Sequence, residues 1–559
     1  MILRPAPLAV VAFVCIGDAA FAQEPRPTTL AHRSTVYAPH GTIATSQPLA
    51  TAAGLAVLQR GGNAIDAAVT AAAVLNVTEP MMTGIGGDMF AMVWWAKDHK
   101  LYGLNASGRA GSLMTRDALL ARGHHTMPVE SVEDVTVPGA LSGWDALLHR
   151  FGTITLAQAL APAIGYAEGG FPVTPIIAQD WANEAARLAR DEGARATFLV
   201  DGTRAPRAGE WFTNHDLARS FRLIAAQGPA ALYGGELGQR VVAGVRQLGG
   251  YLTLDDLRGQ RPEWVEPISV PFKGHRVWEL PPNGQGVAAL EMLRILESYD
   301  LASLRHNSAP YLHLLIEAKK LAFADVARYV GEPAAMQTPA AALLDDRFIA
   351  ARRALVDAHH AADRPDPGTA LTASETIYLT VADSAGNMVS FINSLFDAFG
   401  SGVVVPGTGF ALQDRGAGFT LETGLPNTVA PGKRPFHTII PAFVTMRDAQ
   451  GIEQPWMSFG VMGGSMQPQG HVQVLLNLLV FGMDLQDAID APRFRHLEGR
   501  RVALETPVGE PVRSALTALG HVITDERVVS FGGAQAIIRL PRGYAAGSDP
   551  RKDGMAAGY

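Results

Sequence analysis

Five aliphatic hydroxyl side chains fall within the twelve residues "TALTASETIYLT": Thr369, Thr372, Ser374, Thr376 and Thr380. A hydroxyl is a weak nucleophile until a base takes its proton. A threonine that becomes the first residue of a chain carries that base with it, because its free α-amine has an unperturbed pKa of about 7.7–8.0. Such a site asks for three things: a threonine at the start of a strand, an exposed segment before it that can be cut, and backbone N–H groups placed for an oxyanion. The run "ADRPDPGTALTASE", residues 362–375, has no apolar period and reads as an exposed linker. "TIYLTVAD" alternates from Thr376 onward as a strand does, and "GVMGGSMQ" offers the glycine pair Gly463 and Gly464. Threonine is also a good strand former. On pattern alone, the ordinary reading, a threonine that merely starts a strand, stands beside the catalytic one.

Other chemistries lack their residues. The chain has no G-x-S-x-G elbow for a hydrolase serine, no H-E-x-x-H zinc pair and no Walker A loop. "GIGGDMF" runs into a strand instead of opening a helix, unlike a dinucleotide fingerprint. The pairs His124-His125 and His359-His360 have no ligand at metal-binding spacing and read as surface histidines. No metal and no cofactor is expected. A net charge of −7, with signs mixed along the chain and no basic stripe, argues against nucleic acid as a partner.

Arg4, the apolar run from Ala6 to Gly17 and the small-x-small site Ala20-Phe21-Ala22 read as a cleavable signal peptide over residues 1–22. The expectation is an exported, periplasmic protein with no stable membrane anchor, since the apolar run is too short to span a bilayer. The sole cysteine, Cys15, lies in that segment. The mature chain is then left without disulfides, thiolate catalysis or cysteine metal sites.

Several elements must position the candidate residues. Two helical patterns flank Gly61-Gly62-Asn63, and the small residues of the second, Ala64 to Val77, suit close packing on a sheet. "GIGGDMFAMVWWA" is a glycine turn running into a strand, with "KLYGLNASGRAG" as its hairpin partner. From Val137 to about Leu355 the pattern is largely helical, clearest at Leu156–Gly169, Ser220–Gln227, Gly286–Ser298 and Pro310–Tyr329. Beyond the linker, "TIYLTVAD", "NMVSFINS", "GVVV", "GFALQ", "HTIIPAFVTM" and "PWMSFGVMG" read as short strands. A helix pair follows in "HVQVLLNLLVFGMDLQDAIDAPRF", and "GGAQAIIRL" and "YAAGSDP" close with more strand. Helices lie on both sides of the strands in sequence, which suggests sheets between helical layers. Length alone suggests three or four domains.

Ten collinear stretches carry a resemblance. They are "ATSQPLATAAGLAVLQRGGNAIDAAV", "EPMMTGIGGDMF", "SGRA", "VTVPGALSGW", "LPPNGQGVAALEMLRILE", "ETIYLTVAD", "FGSGVVVPGTGF", "PGKRPFHTIIP", "GVMGGSMQPQGHVQ" and "GSDPRKDGMAAGY". On these the sequence resembles the γ-glutamyltranspeptidase family of the N-terminal nucleophile hydrolase superfamily. The resemblance implies an α+β fold, a four-layer αββα sandwich. It also implies a precursor that cuts itself between Glu375 and Thr376 into a large chain, residues 23–375, and a small chain, residues 376–559, intertwined in one domain. It implies Thr376 as nucleophile, seven positions before Asp383, with Ser394 as the supporting hydroxyl and the N–H groups of Gly463 and Gly464 as oxyanion hole. Arg109 in "SGRA" matches an arginine that binds a substrate carboxylate, beside the plain alternative of a surface ion pair.

The departures concern the substrate. Phe396 stands where relatives have an asparagine, and Arg415 and Gly418 stand for a glutamine and an acidic residue; His437-Thr438 replace a serine pair. Losing groups that hold an α-ammonium while gaining Arg and His makes a more cationic pocket. Two activities follow from the resemblance. One is γ-glutamyl transfer or hydrolysis on glutathione-like compounds, with water or an acceptor amine resolving the acyl-enzyme. The other is an amidohydrolase or acylase for small anionic amides, glutaryl- or oxamate-like, that lack the amine. The pattern resembles a divergent branch of the family, near acylase-like and oxamate-amidohydrolase-like members. The segment from Phe419 to Lys433 is too short for the lid loop of some members.

Overall fold

The alternation in "TIYLTVAD" builds a strand, Glu375–Ala382, in the computed structural model, which describes residues 33–363 and 375–559. The signal-peptide segment with Cys15, and Thr369, Thr372 and Ser374 of the linker, lie outside the described residues. Period two sorts this strand's side chains onto two faces. Ile377, Leu379 and Val381 join an apolar core shared with the helices around Ala64–Thr78, while Tyr378 and Ala382 join a second core between two sheets. Helix Ala64–Thr78 is buried along its whole length, and its alanines let it lie close on the strands. Asn63 and Asp66 close a capping box at its start, and Asp383, just past the Thr376 strand, accepts the Ala64 N–H at 2.9 Å. The strand is thereby fastened to the helical layer at the end opposite Thr376.

Its sheet has seven strands, in the order Met555–Gly558, Thr42–Thr45, Glu375–Ala382, Met388–Phe396, Asp88–Trp95, Lys100–Ala106 and Glu263–Val265. The second sheet, also of seven strands, runs Val36–Ala38, Tyr544–Ser548, Gly533–Arg539, Glu453–Met462, Ala442–Arg447, His275–Glu279 and Ile268–Phe272. Phe90, Trp94, Tyr378 and Ile392 of the first meet Phe443, Met462 and Ile537 of the second. Helices Gly286–Leu296, Ala309–Tyr329 and Met466–Leu479 cover the second sheet's outer face. The result is the four-layer αββα sandwich. Residues 33–559 form one unit, not the three or four domains that length suggests. No helix among the described residues is long and apolar enough to cross a membrane.

Three expectations need correction. "GVVV" and "GFALQ" are irregular, joined by Ser401 N–H to Leu412 C=O at 2.9 Å and Leu412 N–H to Val403 C=O at 3.0 Å instead of a sheet ladder. Their glycines at 400, 402, 407 and 409 all have positive φ, which breaks a strand. In "HTIIPAFVTM" only Ala442 onward is strand. Strands Glu263–Val265, Ile268–Phe272 and His275–Glu279 interrupt the stretch read as helical. Each is too short for its alternation to stand out between helices.

Glu79 ends helix Ala64–Thr78 in full burial. One carboxyl oxygen receives the Ser46 hydroxyl at 2.9 Å, and the other has no partner among the described residues. Burial pushes this group up to about 8. A carboxyl raised in the folded state stabilises fully below its unfolded value and loses that contribution as pH rises through the folded one. The stability advantage of wild type over Glu79→Gln in urea unfolding should therefore fall between pH 4.5 and 8, by at most about 1.4 kcal/mol per pH unit. A difference that does not change with pH contradicts this.

Candidate active site

Thr376 stands at a break in the strand ladder. Glu375 pairs with Phe396 and Ile377 pairs with Asn393, so one residue opposes two at Thr376. Such a bulge re-aims a side chain at the end of a strand. The Thr376 side chain, 1% exposed, turns its hydroxyl to Ser394 Oγ at 3.2 Å. Ser394 Oγ also accepts the Phe396 N–H at 2.8 Å and Arg415 Nη2–H at 2.9 Å. Phe396 has φ +87°, a conformation rare outside glycine, and this folds its N–H back onto the Ser394 side chain.

Arg415 is fully buried in a short turn, Arg415–Gly418. Its Nη1 donates to Thr438 Oγ at 2.8 Å, and its guanidinium lies 4.4 Å over the Phe396 ring. Its Nε has no partner among the described residues. Burial pulls it down to about 10, while Asp88, Asp414 and Asp397 act the other way, so it remains a cation at neutral pH. His437 places Nε2 3.1 Å from Asp88 Oδ2, while its Nδ1 accepts the Ile439 N–H at 3.3 Å. The proton therefore sits on Nε2. Burial, with Arg415 second, pulls this imidazole down to about 3.

Asp397 and Asp414 flank the Phe396–Arg415 stack in sequence, and the Asp397 N–H donates to Asp414 Oδ1 at 3.1 Å. Burial and the neighbouring Asp414 push the Asp397 carboxyl far up, so the pair holds a proton at neutral pH.

Gly463 and Gly464 follow strand Glu453–Met462 and precede helix Met466–Leu479, with φ of +122° and +57°. A Cβ on Gly463 would come within 3.1 Å of the Gly532 Cα, so this turn needs glycine twice over. Gln285 ties it to the rest: its Nε2 donates to Gly464 C=O at 2.8 Å and to Thr438 C=O at 2.6 Å.

The structure thus gathers Thr376, Ser394, Phe396, Arg415, His437 and Thr438 into one hydrogen-bonded and stacked group, and links the Gly464 turn to Thr438. The Arg109 guanidinium is held by carboxylates. It is shared between Glu263, at 3.0 Å, and Glu332, and it also donates to Gly432 C=O at 3.0 Å. At Gly418, any side chain would meet the Phe436 carbonyl, 2.6 Å from a built Cβ. Asp88, Asp397, Asp414 and Gln285 were missed in the sequence. The available signal for Asp88 was a charge opening the otherwise apolar strand "DMFAMVWW".

Among the described residues, one set of side chains of metal-ligand type comes together away from these groups in sequence: His313, Glu317 and His521, all buried. There the Lys320 ammonium lies 2.7 Å from Glu317 and already supplies a counter-ion.

The γ-glutamyltranspeptidase family model matches residues 50–559. The glutathione hydrolase-like YwrD proenzyme of Bacillus subtilis (strain 168) is 37% identical over 523 residues, covering 91% of this chain and 97% of the relative. The acylase ACY 1 proenzyme of Pseudomonas sp. (strain SE83) is 37% identical over 520 residues and covers 91% of each. Among solved structures, a cephalosporin acylase from Bacillus halodurans is similar at TM-score 0.89 and 45% identity, covering 96% of this chain and 99% of that one.

A lowered imidazole contributes stability that is complete above the unfolded value and is lost as pH falls toward the folded one. For His437 that window runs from 6.5 down to about 3. In ¹⁵N-histidine-labelled protein its ring nitrogens should keep the neutral, Nε2–H pattern at pH 5. Titration near 6.5 would show the imidazole to be solvated and this geometry wrong.

Proposed function

The chain belongs to the γ-glutamyltranspeptidase family, and from that premise we propose a self-processing amide hydrolase whose nucleophile is Thr376. Its substrates are small acyl amides that end in a carboxylate and lack an α-amine. The observation that carries this reading is the line Thr376–Ser394–Arg415: a hydroxyl held by a second hydroxyl that a fully buried guanidinium holds in turn. In the precursor, Thr376 Oγ attacks the Glu375 carbonyl carbon, the peptide C–N bond breaks, and water hydrolyses the resulting ester. The Thr376 amine is then free, and the products are the chains 23–375 and 376–559.

In turnover that amine takes the proton from Thr376 Oγ as the oxygen bonds to the substrate carbonyl carbon. The oxyanion that forms is met by the N–H groups of Gly463 and Gly464, at the positive end of helix Met466–Leu479. Collapse breaks the amide C–N bond, and the proton passes to the leaving amine. Water, or an acceptor amine in transfer, then attacks the acyl ester and restores the hydroxyl. Ser394 orients the nucleophile throughout.

Arg415 and Gly418 support an amine-free acyl group. A buried cation with an unmatched Nε–H suits a carboxylate, and the Phe436 carbonyl leaves no room for an acidic side chain at 418. A second reading, γ-glutamyl hydrolysis, draws on the Asp397–Asp414 pair, whose carboxyls lie near Arg415 and offer oxygens to an ammonium.

The two readings separate on paired anilides. Glutaryl anilide should be hydrolysed at least ten-fold faster in kcat/KM than γ-glutamyl anilide; the reverse preference replaces the first reading by the second. Ser394→Ala should lower glutaryl hydrolysis about 10- to 100-fold, and Ser394→Thr should keep most of it. Equal rates in Ser394→Ala and wild type would remove Ser394 from the mechanism.

A further inference from the structure

Asp88 is a fully buried carboxylate at the first position of strand Asp88–Trp95, directly across the ladder from Ser394. Its two oxygens do different things. Oδ1 receives Gly108 N–H at 2.9 Å, Gly139 N–H at 3.0 Å and the Gln413 amide at 3.1 Å. Gln413 in turn donates to Thr136 Oγ and Val137 C=O, both at 3.0 Å. Oδ2 faces His437 Nε2 at 3.1 Å. One carboxylate thus seats the loop before Arg109, the turn before helix Ala140–Phe151, the residue two before Arg415 and the imidazole beside Thr438.

These contacts close a ring. From Asp88 the path runs to His437, along the chain to Thr438, through Thr438 Oγ to Arg415 Nη1, and from Arg415 Nη2 to Ser394 Oγ. Ser394 then pairs across the strands with Asp88. Asp88 also acts electrostatically on Arg415 as a buried negative charge. A buried charge left without its counter-charge repositions or draws in water, so the counter-charge fixes where the cation points.

We propose that Asp88 is a specificity-determining positioning residue: it holds the His437–Thr438 turn and balances Arg415, so that Arg415 meets the carboxylate of an acyl group on Thr376. It acts through these neighbours and touches no reacting atom. Replacing Asp88 by Asn keeps Oδ1 for its three donors but turns an amide N–H₂ toward His437 Nε2, which already carries the proton. Two donors then face each other. The alternative tautomer would set His437 Nδ1–H against the Ile439 N–H. The turn must shift either way, and Arg415 loses both a seated Thr438 and its charge balance. A glutamine at 437 relieves the conflict, because its side-chain oxygen can accept from the amide introduced at position 88.

This inference rests on Thr376 being the acylating nucleophile. The test uses the full processed protein with glutaryl anilide and pentanoyl anilide, which differ by the terminal carboxylate. In Asp88→Asn, kcat/KM for the glutaryl compound should fall at least ten-fold more than for the pentanoyl compound, chiefly through KM. Adding His437→Gln should recover at least half of that lost selectivity on a logarithmic scale. If both substrates fall together, or the double variant is no more selective than Asp88→Asn, Asp88 is only structural and the proposal fails. Should Asp88→Asn give no soluble protein, His437→Phe breaks the same link from the other side. A glutaryl-to-pentanoyl ratio at wild-type level in that variant overturns the proposal. Wild type that hydrolyses neither anilide and stays uncut would refute the nucleophile assignment instead.

Discussion

A guanidinium sealed from solvent is costly to hold in this site, and the surrounding residues answer to it. Removing such a cation from water is offset only when its N–H groups and its charge find partners. Arg415 finds the hydroxyls of Ser394 and Thr438, the face of Phe396 and the nearby charge of Asp88. Each partner has a further task. Ser394 holds Thr376, Phe396 adopts a positive φ that turns its own N–H onto Ser394, and Thr438 is joined through Gln285 to the Gly464 turn. A change at Arg415 therefore reaches Thr376, Ser394 and the glycine turn together.

The sandwich supplies the rigidity that this arrangement needs. Thr376 is the second residue of a strand packed on both faces, and the other end of that strand is fastened where Asp383 caps helix Ala64–Thr78. With the strand held so, the bulge at Thr376 is the place where the ladder yields and a side chain is re-aimed. The same logic holds across the inter-sheet core, where strand Glu453–Met462 ends in the glycine turn. Thr376 and the glycine turn thus both sit at strand ends, which position groups more closely than free loops do.

Much of this was legible in the chain itself. The alternating strand that carries Thr376, the small-residue helix, the hairpin after "GIGG" and the helix Leu156–Gly169 follow from local rules that the fold obeys. The αββα class came from the family resemblance, with the flanking helices as a hint. Asp88, Gln285, Asp397 and Asp414 could not be found that way, because their roles come from contacts across large sequence separations, such as Asp88 with His437. The strands at 263–279 were hidden by their brevity, and "GVVV" and "GFALQ" misled because glycines at positive φ break an apolar run that otherwise looks like a strand. Arg109 matched a motif, yet its guanidinium lies with Glu263 and Glu332, a partnership that sequence spacing cannot reveal.

The central claim is that this chain becomes active by exposing the amine of Thr376. Denaturing electrophoresis with N-terminal sequencing, on wild type beside Thr376→Ala, reads it directly. The account predicts two chains in wild type, the smaller beginning Thr376-Ile377-Tyr378, and one uncut, inactive chain in the variant. Hydrolysis by a wild-type chain that stays intact, or a cut at another peptide bond, would contradict it.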